Sequence, residues 1–194
     1  PAVHEALKEN PNRARALLHT FVTRSAMFST LMLLDATGKP VAGEAKSGDP
    51  LAPSYADREY VKAIQAGNDN YVTKRILRGK TSKVLMFVVA QAVKDQQGKL
   101  LGLLVGSVSW EVFTKKFVDP LRFGTTGYAF VIDAKGLIIA HGTNKSLILN
   151  PEVDHTISEK ALALKNGLTQ YTFGGQEKIM AVAEIPETGW TVCM

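Results

Sequence analysis

A short pattern that occurs twice constrains the fold of this chain more than any other feature of its sequence. The Asp-Ala-x-Gly core of residues 35–38 returns at residues 133–136, and each copy lies between two apolar, β-prone segments. The aspartate of such a core can accept hydrogen bonds from the backbone that follows it, and the glycine can adopt a positive φ. Each copy therefore predicts a β-hairpin, and the repetition predicts two related modules.

The helices and strands predicted after each hairpin follow the same order. Tyr60, Val61 and Ile64 lie at helical spacing behind a potential N-cap, Asp57, and apolar runs separated by glycine-containing turns come next. The predicted elements are a helix over 57–66 with strands over 70–77, 83–94 and 99–109, and a helix over 157–164 with strands over 168–173, 177–184 and 190–194. This order predicts an α+β fold of two tandem modules, each a mostly antiparallel five-stranded sheet with flanking helices.

The same elements predict how the chain is divided. An amphipathic helix that begins at Pro11 belongs to an N-terminal helical segment over 1–30. We expect the first module to cover 31–109, a connecting helix to cover 110–122, and the second module to cover 123–194.

The charge of the chain does not indicate a nucleic-acid partner. The formal net charge is +5, and a basic surface attracts phosphate. The basic residues are dispersed, however, and the densest group, between Lys74 and Lys83, flanks a turn at Gly79. Such a group is typical of a solvated hairpin. We therefore expect no nucleic acid to bind.

Metal and cofactor sites have no support in the sequence. Cys193 is the only cysteine, which excludes an intramolecular disulfide and a zinc site built on thiolates. The four histidines are scattered without the spacing of metal ligands. We predict no metal and no cofactor.

Enzymatic motifs are also missing from the sequence. There is no Gly-x-Ser-x-Gly elbow, and Cys193 has no histidine near it in sequence. We predict that the chain is not an enzyme. A hydrolase on an α+β scaffold and an interaction module without a ligand are the two rival hypotheses.

The hydropathy of the chain shows no segment that would cross or enter a membrane. No run approaches the roughly 20 apolar residues that span a bilayer. Residues 1–18 lack the apolar centre of a signal peptide. If the full protein is exported, we expect this chain to be a part of it.

Two motifs give the chain a resemblance to a known family. Residues 57–61 read Asp-Arg-Glu-Tyr-Val, and residues 127–133 read Gly-Tyr-Ala-Phe-Val-Ile-Asp. With the element order around them, these motifs resemble the double Cache domain, a tandem of PAS-like modules, over nearly the whole chain. Such domains usually begin with a long helix, and only its distal end is expected here.

The resemblance implies a function in sensing. It implies the extracytoplasmic, periplasmic domain of an inner-membrane receptor that binds a small molecule in its membrane-distal first module. It also implies a homodimer in the full-length receptor, with flanking transmembrane helices outside this chain. A methyl-accepting chemotaxis protein is the first expectation, and a histidine kinase or a diguanylate cyclase is the alternative.

The resemblance also assigns a ligand site. Residue spacing alone favours a surface salt bridge between Arg58 and Asp57, Glu59 or Glu44. The resemblance instead gives Arg58 the carboxylate of the ligand, because a guanidinium can bind a carboxylate with two hydrogen bonds. The residues assigned to the site are Arg58, Tyr60, Tyr71, Thr73 and Ser107, with Tyr55 and Asp57 beside them.

Departures from the family pattern indicate the class of ligand. Among the domains that this chain resembles, amino-acid-binding members have an Arg-x-Trp-Tyr pattern and an acidic residue on the last strand. This chain has Tyr60 in place of the tryptophan, Val61 in place of the tyrosine and Ser107 in place of the acidic residue. An ammonium would lose its charged partner, which is costly when it is desolvated. We therefore expect a short carboxylate such as acetate, propionate, lactate or pyruvate. An amino acid or amine held by Asp57 or Asp69 is the alternative.

The second module has no arginine at the place equivalent to Arg58. We expect it to support the first module or to relay its signal. Tyr128, Asp133 and His141 are predicted to have structural roles there.

Overall fold

The computed structural model describes residues 11–48, 50–80 and 82–194. The chain divides into two units, Pro1–Val112 and Phe113–Met194. Each unit has one main sheet whose strand pairs are antiparallel. The predicted α+β class with two tandem sheet modules is confirmed.

The sheet of the first unit has the strand order β2-β1-β6-β5-β3, and β4 pairs separately with β5. The chain enters this sheet through one helix and crosses its face with another. The elements are α1 (Pro11–Arg24), β1 (Phe28–Asp35), β2 (Pro40–Ala45), α2 (Glu59–Gln65), β3 (Asn70–Val72), β4 (Leu77–Arg78), β5 (Leu85–Lys94) and β6 (Leu100–Ser109).

The first hairpin has the geometry that its sequence predicts. One carboxylate oxygen of Asp35 accepts hydrogen bonds from the backbone N–H groups of Thr37, at 2.8 Å, and Lys39, at 3.0 Å. Gly38 has a φ of +87°, and a Cβ at that position would lie 3.0 Å from the backbone of Ala56. Both the left-handed conformation and this close approach require glycine.

Alternating residues of β1 pack into cores on the two faces of the first sheet. Met32 and Leu34 join a core that contains Ile64 of α2. Leu31 and Leu33 join a second core against α1. Because successive side chains of a strand point to opposite faces, β1 contributes to both cores.

Two details of the first unit differ from the sequence prediction. The strand predicted over 70–77 is divided into β3 and β4, because the pairing with β5 ends in a side-chain contact at Thr73. The helix begins later than predicted, with Arg58 and not Asp57 in the N-cap position. The carboxylate of Asp57 instead forms an ion pair with Lys80 at 2.5 Å.

The sheet of the second unit has the strand order β10-β9-β13-β12-β11, and a separate two-stranded sheet pairs β7 with β8. Helix α3 (Trp110–Phe117) spans the boundary between the two units. The elements after it are β7 (Arg122–Phe123), β8 (Gly127–Tyr128), β9 (Phe130–Ile132), β10 (Ile138–His141), a 3-10 turn (Lys145–Leu147), α4 (Thr156–Leu164), β11 (Asn166–Phe173), β12 (Gln176–Ile185) and β13 (Trp190–Cys193).

The second hairpin repeats the geometry of the first. The carboxylate of Asp133 accepts hydrogen bonds from the backbone N–H groups of Lys135, at 2.9 Å, and Leu137, at 3.0 Å. Gly136 has a φ of +82°. Within the described residues, no helix has the length and apolar character needed to cross a membrane.

Candidate functional site

A small cavity lies in the first unit. Its apolar wall includes Met32, Leu51, Met86 and Val88. Its volume is about 50 Å³, several times the roughly 10–15 Å³ that holds one water molecule. The cavity therefore has room for a small molecule of several non-hydrogen atoms.

The register of three neighbouring strands builds the floor of this cavity. Thr30 of β1 pairs with Ser107 of β6, and Ser107 pairs with Val88 of β5. Residues directly opposite each other in an antiparallel sheet share a face, and all three line the cavity. Ser107 is only 4% exposed, so its hydroxyl is a buried polar group at this floor.

Arg58 reaches the cavity from the turn before α2. The backbone N–H of Tyr55 donates to the carbonyl of Gly38 at 2.9 Å, and the backbone N–H of Arg58 donates to the carbonyl of Tyr55 at 2.9 Å. The carbonyl of Arg58 accepts the first hydrogen bonds of α2. The first hairpin thus fixes the loop that carries Arg58, whose side chain lines the cavity.

The guanidinium of Arg58 has no hydrogen bond or ion pair within the parts of the chain that the structure describes. The surface salt bridge that residue spacing favours does not form. The three carboxylates that could form it have other partners: Asp57 pairs with Lys80 at 2.5 Å, Glu59 with Arg75 at 3.5 Å, and Glu44 with Arg15 at 3.3 Å.

Two tyrosines stand beside Arg58 at the cavity. Tyr60 is 2% exposed, and burial raises the pKa of its hydroxyl, so this group stays protonated and can donate. Its hydroxyl makes no hydrogen bond with any described residue. The hydroxyl of Tyr55 accepts a hydrogen bond from the backbone N–H of Ala52 at 3.1 Å. Tyr60 is therefore a donor available to a ligand, whereas Tyr55 is held by its own loop.

Two further cations line the cavity. Nη1 of Arg78, at the end of β4, donates to the carbonyl of Lys83 at 3.1 Å. Nζ of Lys80 binds the carboxylate of Asp57 at 2.5 Å and lies 5.4 Å from the centre of the Tyr55 ring. The hydrogen bond from Lys80 holds the pKa of Asp57 below its ordinary value. No carboxylate lines the cavity among the described residues.

The structure brings together four of the seven residues assigned from sequence, namely Arg58, Tyr60, Tyr55 and Ser107. The other three do not line the cavity. Asp57 lies on the surface, and Tyr71 borders a separate apolar groove beside α1. Thr73 is fully buried, and its hydroxyl oxygen accepts a hydrogen bond from the backbone N–H of Val88 at 2.9 Å.

Sequence reasoning did not assign Arg78 and Lys80 to the site. Both belong to the basic group around Gly79, which the sequence indicates only as a solvated hairpin. Their position depends on β4 folding back onto β5, where Leu77 pairs with Met86. The density of basic residues in this group was the one available signal.

In the second unit, His141 and the aromatic residues beside it contact one another and the neighbouring backbone. Nδ1 of His141 accepts hydrogen bonds from the backbone N–H groups of Asn144, at 3.0 Å, and Thr143, at 3.3 Å. The ring packs against Tyr128 and Phe130, at 4.7 and 5.9 Å between ring centres. The described residues contain no cluster of three or more potential metal ligands.

The chain has two antiparallel sheet modules, and one of them holds a small cavity lined by cations and hydroxyl groups. These features define the class of this chain as a PAS-like sensor domain. The chain belongs to the Cache domain family, whose dCache_1 model matches residues 3–194. The resemblance stated from the sequence is confirmed.

Curated relatives of the chain are chemotaxis proteins. The chain is 26% identical over 158 residues to the methyl-accepting chemotaxis protein PscA of Pseudomonas syringae, covering 80% of this chain and 24% of that protein. It is 26% identical over 146 residues to McpA of Bacillus subtilis, covering 74% of this chain and 21% of that protein. The chain thus spans a quarter or less of the length of these relatives.

Solved structures share the fold. The ligand-binding domain of the Campylobacter jejuni chemoreceptor Tlp3, in complex with 4-methylisoleucine, superposes with a TM-score of 0.70 at 21% identity, covering 98% of this chain and 71% of that one. The ligand-binding domain of the Pseudomonas fluorescens chemoreceptor CtaA, in complex with L-isoleucine, has a TM-score of 0.68 at 19% identity, covering 99% and 78%. These similarities establish the double-module architecture.

Proposed function

We propose that the chain is the extracytoplasmic sensing domain of a transmembrane receptor, first of all a methyl-accepting chemotaxis protein, and that it binds a short carboxylate in its first unit. The observation that carries this proposal is the guanidinium of Arg58, which is unpaired within the described residues and lines a cavity that no described carboxylate lines. The family consists of sensory domains and not of enzymes, so no reaction is assigned to the cavity.

The electrostatics of the cavity support an anion without an ammonium group. An ammonium group that leaves water without gaining a carboxylate partner costs several kcal/mol of binding free energy. The candidates on this chain were Asp57 and Asp69, and each is bound to a lysine, Lys80 and Lys94 respectively, at 2.5 Å. A carboxylate, by contrast, gains a charge-assisted hydrogen bond from Arg58 and can accept another from Tyr60.

An amino acid or amine is the second candidate, with a chemoreceptor, a histidine kinase or a diguanylate cyclase as the full protein. The bound ligands named for Tlp3 and CtaA favour it, since both are amino acids or analogues of them. Binding of this kind would require the carboxylate of Asp57 or Asp69 to reach the cavity, which neither residue lines. The small volume of the cavity, about 50 Å³, favours the shorter ligand.

A route for the signal follows from the two faces of β1. Thr30 and Met32 line the cavity, whereas Leu31 and Leu33 pack with the core against α1. A ligand that binds one arrangement of β1 better than another shifts the population by its differential affinity. That shift reaches α1 directly, because the same strand contacts both. We propose a periplasmic location, a homodimer in the full receptor, and a supporting or relaying role for the second unit.

A thermal-shift panel of short carboxylates and amino acids tests the ligand class. A ligand that binds only the folded state raises its stability by mass action, so we expect acetate, propionate, lactate or pyruvate to raise the melting temperature. Stabilisation by amino acids alone would favour the second candidate. Stabilisation by neither class would refute the assignment of the cavity.

The variant Arg58→Ala tests the site. We expect the stabilisation by carboxylates to disappear while the melting temperature of the free protein changes little, because this guanidinium has no partner in the described structure. Lys62→Ala is the matched control, since it removes one exposed positive charge from α2 outside the cavity. Unchanged affinity in Arg58→Ala would remove Arg58 from the site.

A further inference from the structure

The cavity carries more positive charge than one carboxylate can neutralise. Arg58, Arg78 and Lys80 line it, and Asp57 neutralises Lys80 through the contact at 2.5 Å. Neither arginine forms an ion pair with any residue in 11–48, 50–80 or 82–194. Among the described residues, two positive charges therefore face the cavity without a compensating carboxylate.

The two guanidinium groups reach the cavity from separate elements. Arg58 lies in the turn before α2, and Arg78 lies at the end of β4. The hydrogen bond from Nη1 of Arg78 to the carbonyl of Lys83 holds that side chain and leaves its other N–H groups available. A guanidinium presents its donors in a rigid fork that matches one carboxylate. Two such forks suit two separate anionic groups better than one.

We propose that the preferred ligand of this cavity carries two anionic groups, one for Arg58 and one for Arg78, as a short dicarboxylate does. This inference rests on the proposed function, because it concerns the same cavity. The volume of about 50 Å³ restricts such a ligand to a short chain. Hydroxyl groups of Tyr60 and Ser107 also line the cavity and can donate to carboxylate oxygens that the arginines leave free.

A monocarboxylate would leave one of the two guanidinium groups without a charged partner. Arg78 is an exposed residue, and an ion pair at an exposed site contributes up to about 1 kcal/mol, which is about fivefold in affinity. A dianion interacts with this solvent-screened charge as well as with Arg58, so its affinity should fall more steeply with added salt than that of a monoanion.

Isothermal titration calorimetry at fixed ionic strength tests the inference. The probes are acetate and propionate as monoanions and malonate and succinate as dianions. We expect at least one dianion to bind about fivefold more tightly than either monoanion. Arg78→Gln should remove this difference, lowering dianion affinity about fivefold and monoanion affinity less than about twofold. Arg24→Gln is the matched control, since it makes the same charge change on an exposed residue outside the cavity lining.

The outcomes separate this inference from the proposed function. Monoanions that bind as tightly as every dianion overturn the inference and leave the short-carboxylate function standing. A lack of binding by all four probes overturns the inference, and it overturns the proposed function too if lactate and pyruvate also fail in the thermal-shift panel. Equal losses in Arg78→Gln and Arg24→Gln would show a general charge effect and would also overturn the inference. If Arg78→Gln does not fold, Arg78→Lys, which should keep part of the preference, and the salt dependence of the unmodified protein decide the question.

Discussion

The variant Tyr60→Phe removes one oxygen atom from the cavity and leaves the packing of the ring unchanged. Tyr60 is 2% exposed, and its hydroxyl has no hydrogen-bond partner among the described residues. The variant therefore breaks no hydrogen bond of the described structure. Without ligand, we expect the free energy of unfolding to change by less than about 1 kcal/mol, because no partner is left unsatisfied.

With a carboxylate bound, the same hydroxyl becomes a donor to a charged acceptor. Such hydrogen bonds contribute about 1.5–3 kcal/mol. At the lower limit the affinity falls about tenfold, since about 1.4 kcal/mol is a factor of ten. At a ligand concentration of about 100 times the Kd of the unmodified protein, ligand-induced stabilisation should fall from about 2.7 to about 1.4 kcal/mol.

Calorimetric titration measures the affinity, and urea unfolding with and without ligand measures the stabilisation. Tyr171→Phe is the control, since it makes the same change on a half-buried tyrosine in the second unit. An affinity that stays within about twofold in Tyr60→Phe would show that this hydroxyl does not contact the ligand. A loss of more than about 2 kcal/mol in the ligand-free protein would show that it has a structural partner.

Two other predictions concern residues that the structure places outside the cavity. Thr73→Val should lower the free energy of unfolding, measured in urea, by about 1–3 kcal/mol, because it leaves the N–H of Val88 without its acceptor. Ligand affinity should stay unchanged, and a large loss of affinity would return Thr73 to the site. Burial, with a contribution from Lys145, lowers the pKa of His141 below its ordinary value of 6.5. The unfolded chain therefore takes up a proton before the folded chain does, and stability should fall as the pH drops from about 7 to about 5. His141→Gln should flatten this part of the profile of unfolding free energy against pH, and an equally steep profile in the variant would exclude His141 as its cause.

The sequence predicted those parts of the fold that depend on local chemistry. The two Asp-Ala-x-Gly hairpins, the helix over Pro11–Arg24 and the order of the two modules depend on turn residues and on apolar spacing within one segment. The division of the strand over 70–77 depends on a contact between Thr73 and Val88, which are far apart in sequence. Periodicity within a segment contains no information about such a contact.

The sequence also predicted only part of the set of residues that line the cavity. Arg58 and Tyr60 came from one motif, and the structure places both at the cavity. Tyr71 was assigned by matching the family's next strand, but it borders a different groove. Arg78 escaped assignment because its place depends on how β4 returns to β5. Ser107 on the distant strand β6 was assigned through the family resemblance, whereas the place of Arg78 became visible only in the folded chain.

The unequal roles proposed for the two units can be traced to the turn before the helix of each. In the first unit this turn carries Arg58, whose guanidinium forms no hydrogen bond or ion pair with a described residue. In the second unit the corresponding turn carries Asp154, whose carboxylate accepts hydrogen bonds from the backbone and the hydroxyl of Thr156, at 2.9 and 2.6 Å. Asp154 precedes the N-cap residue of its helix, as Asp57 does in the first unit, and His155 holds the position that Arg58 holds there. The second turn therefore lacks the guanidinium on which the proposed anion site depends.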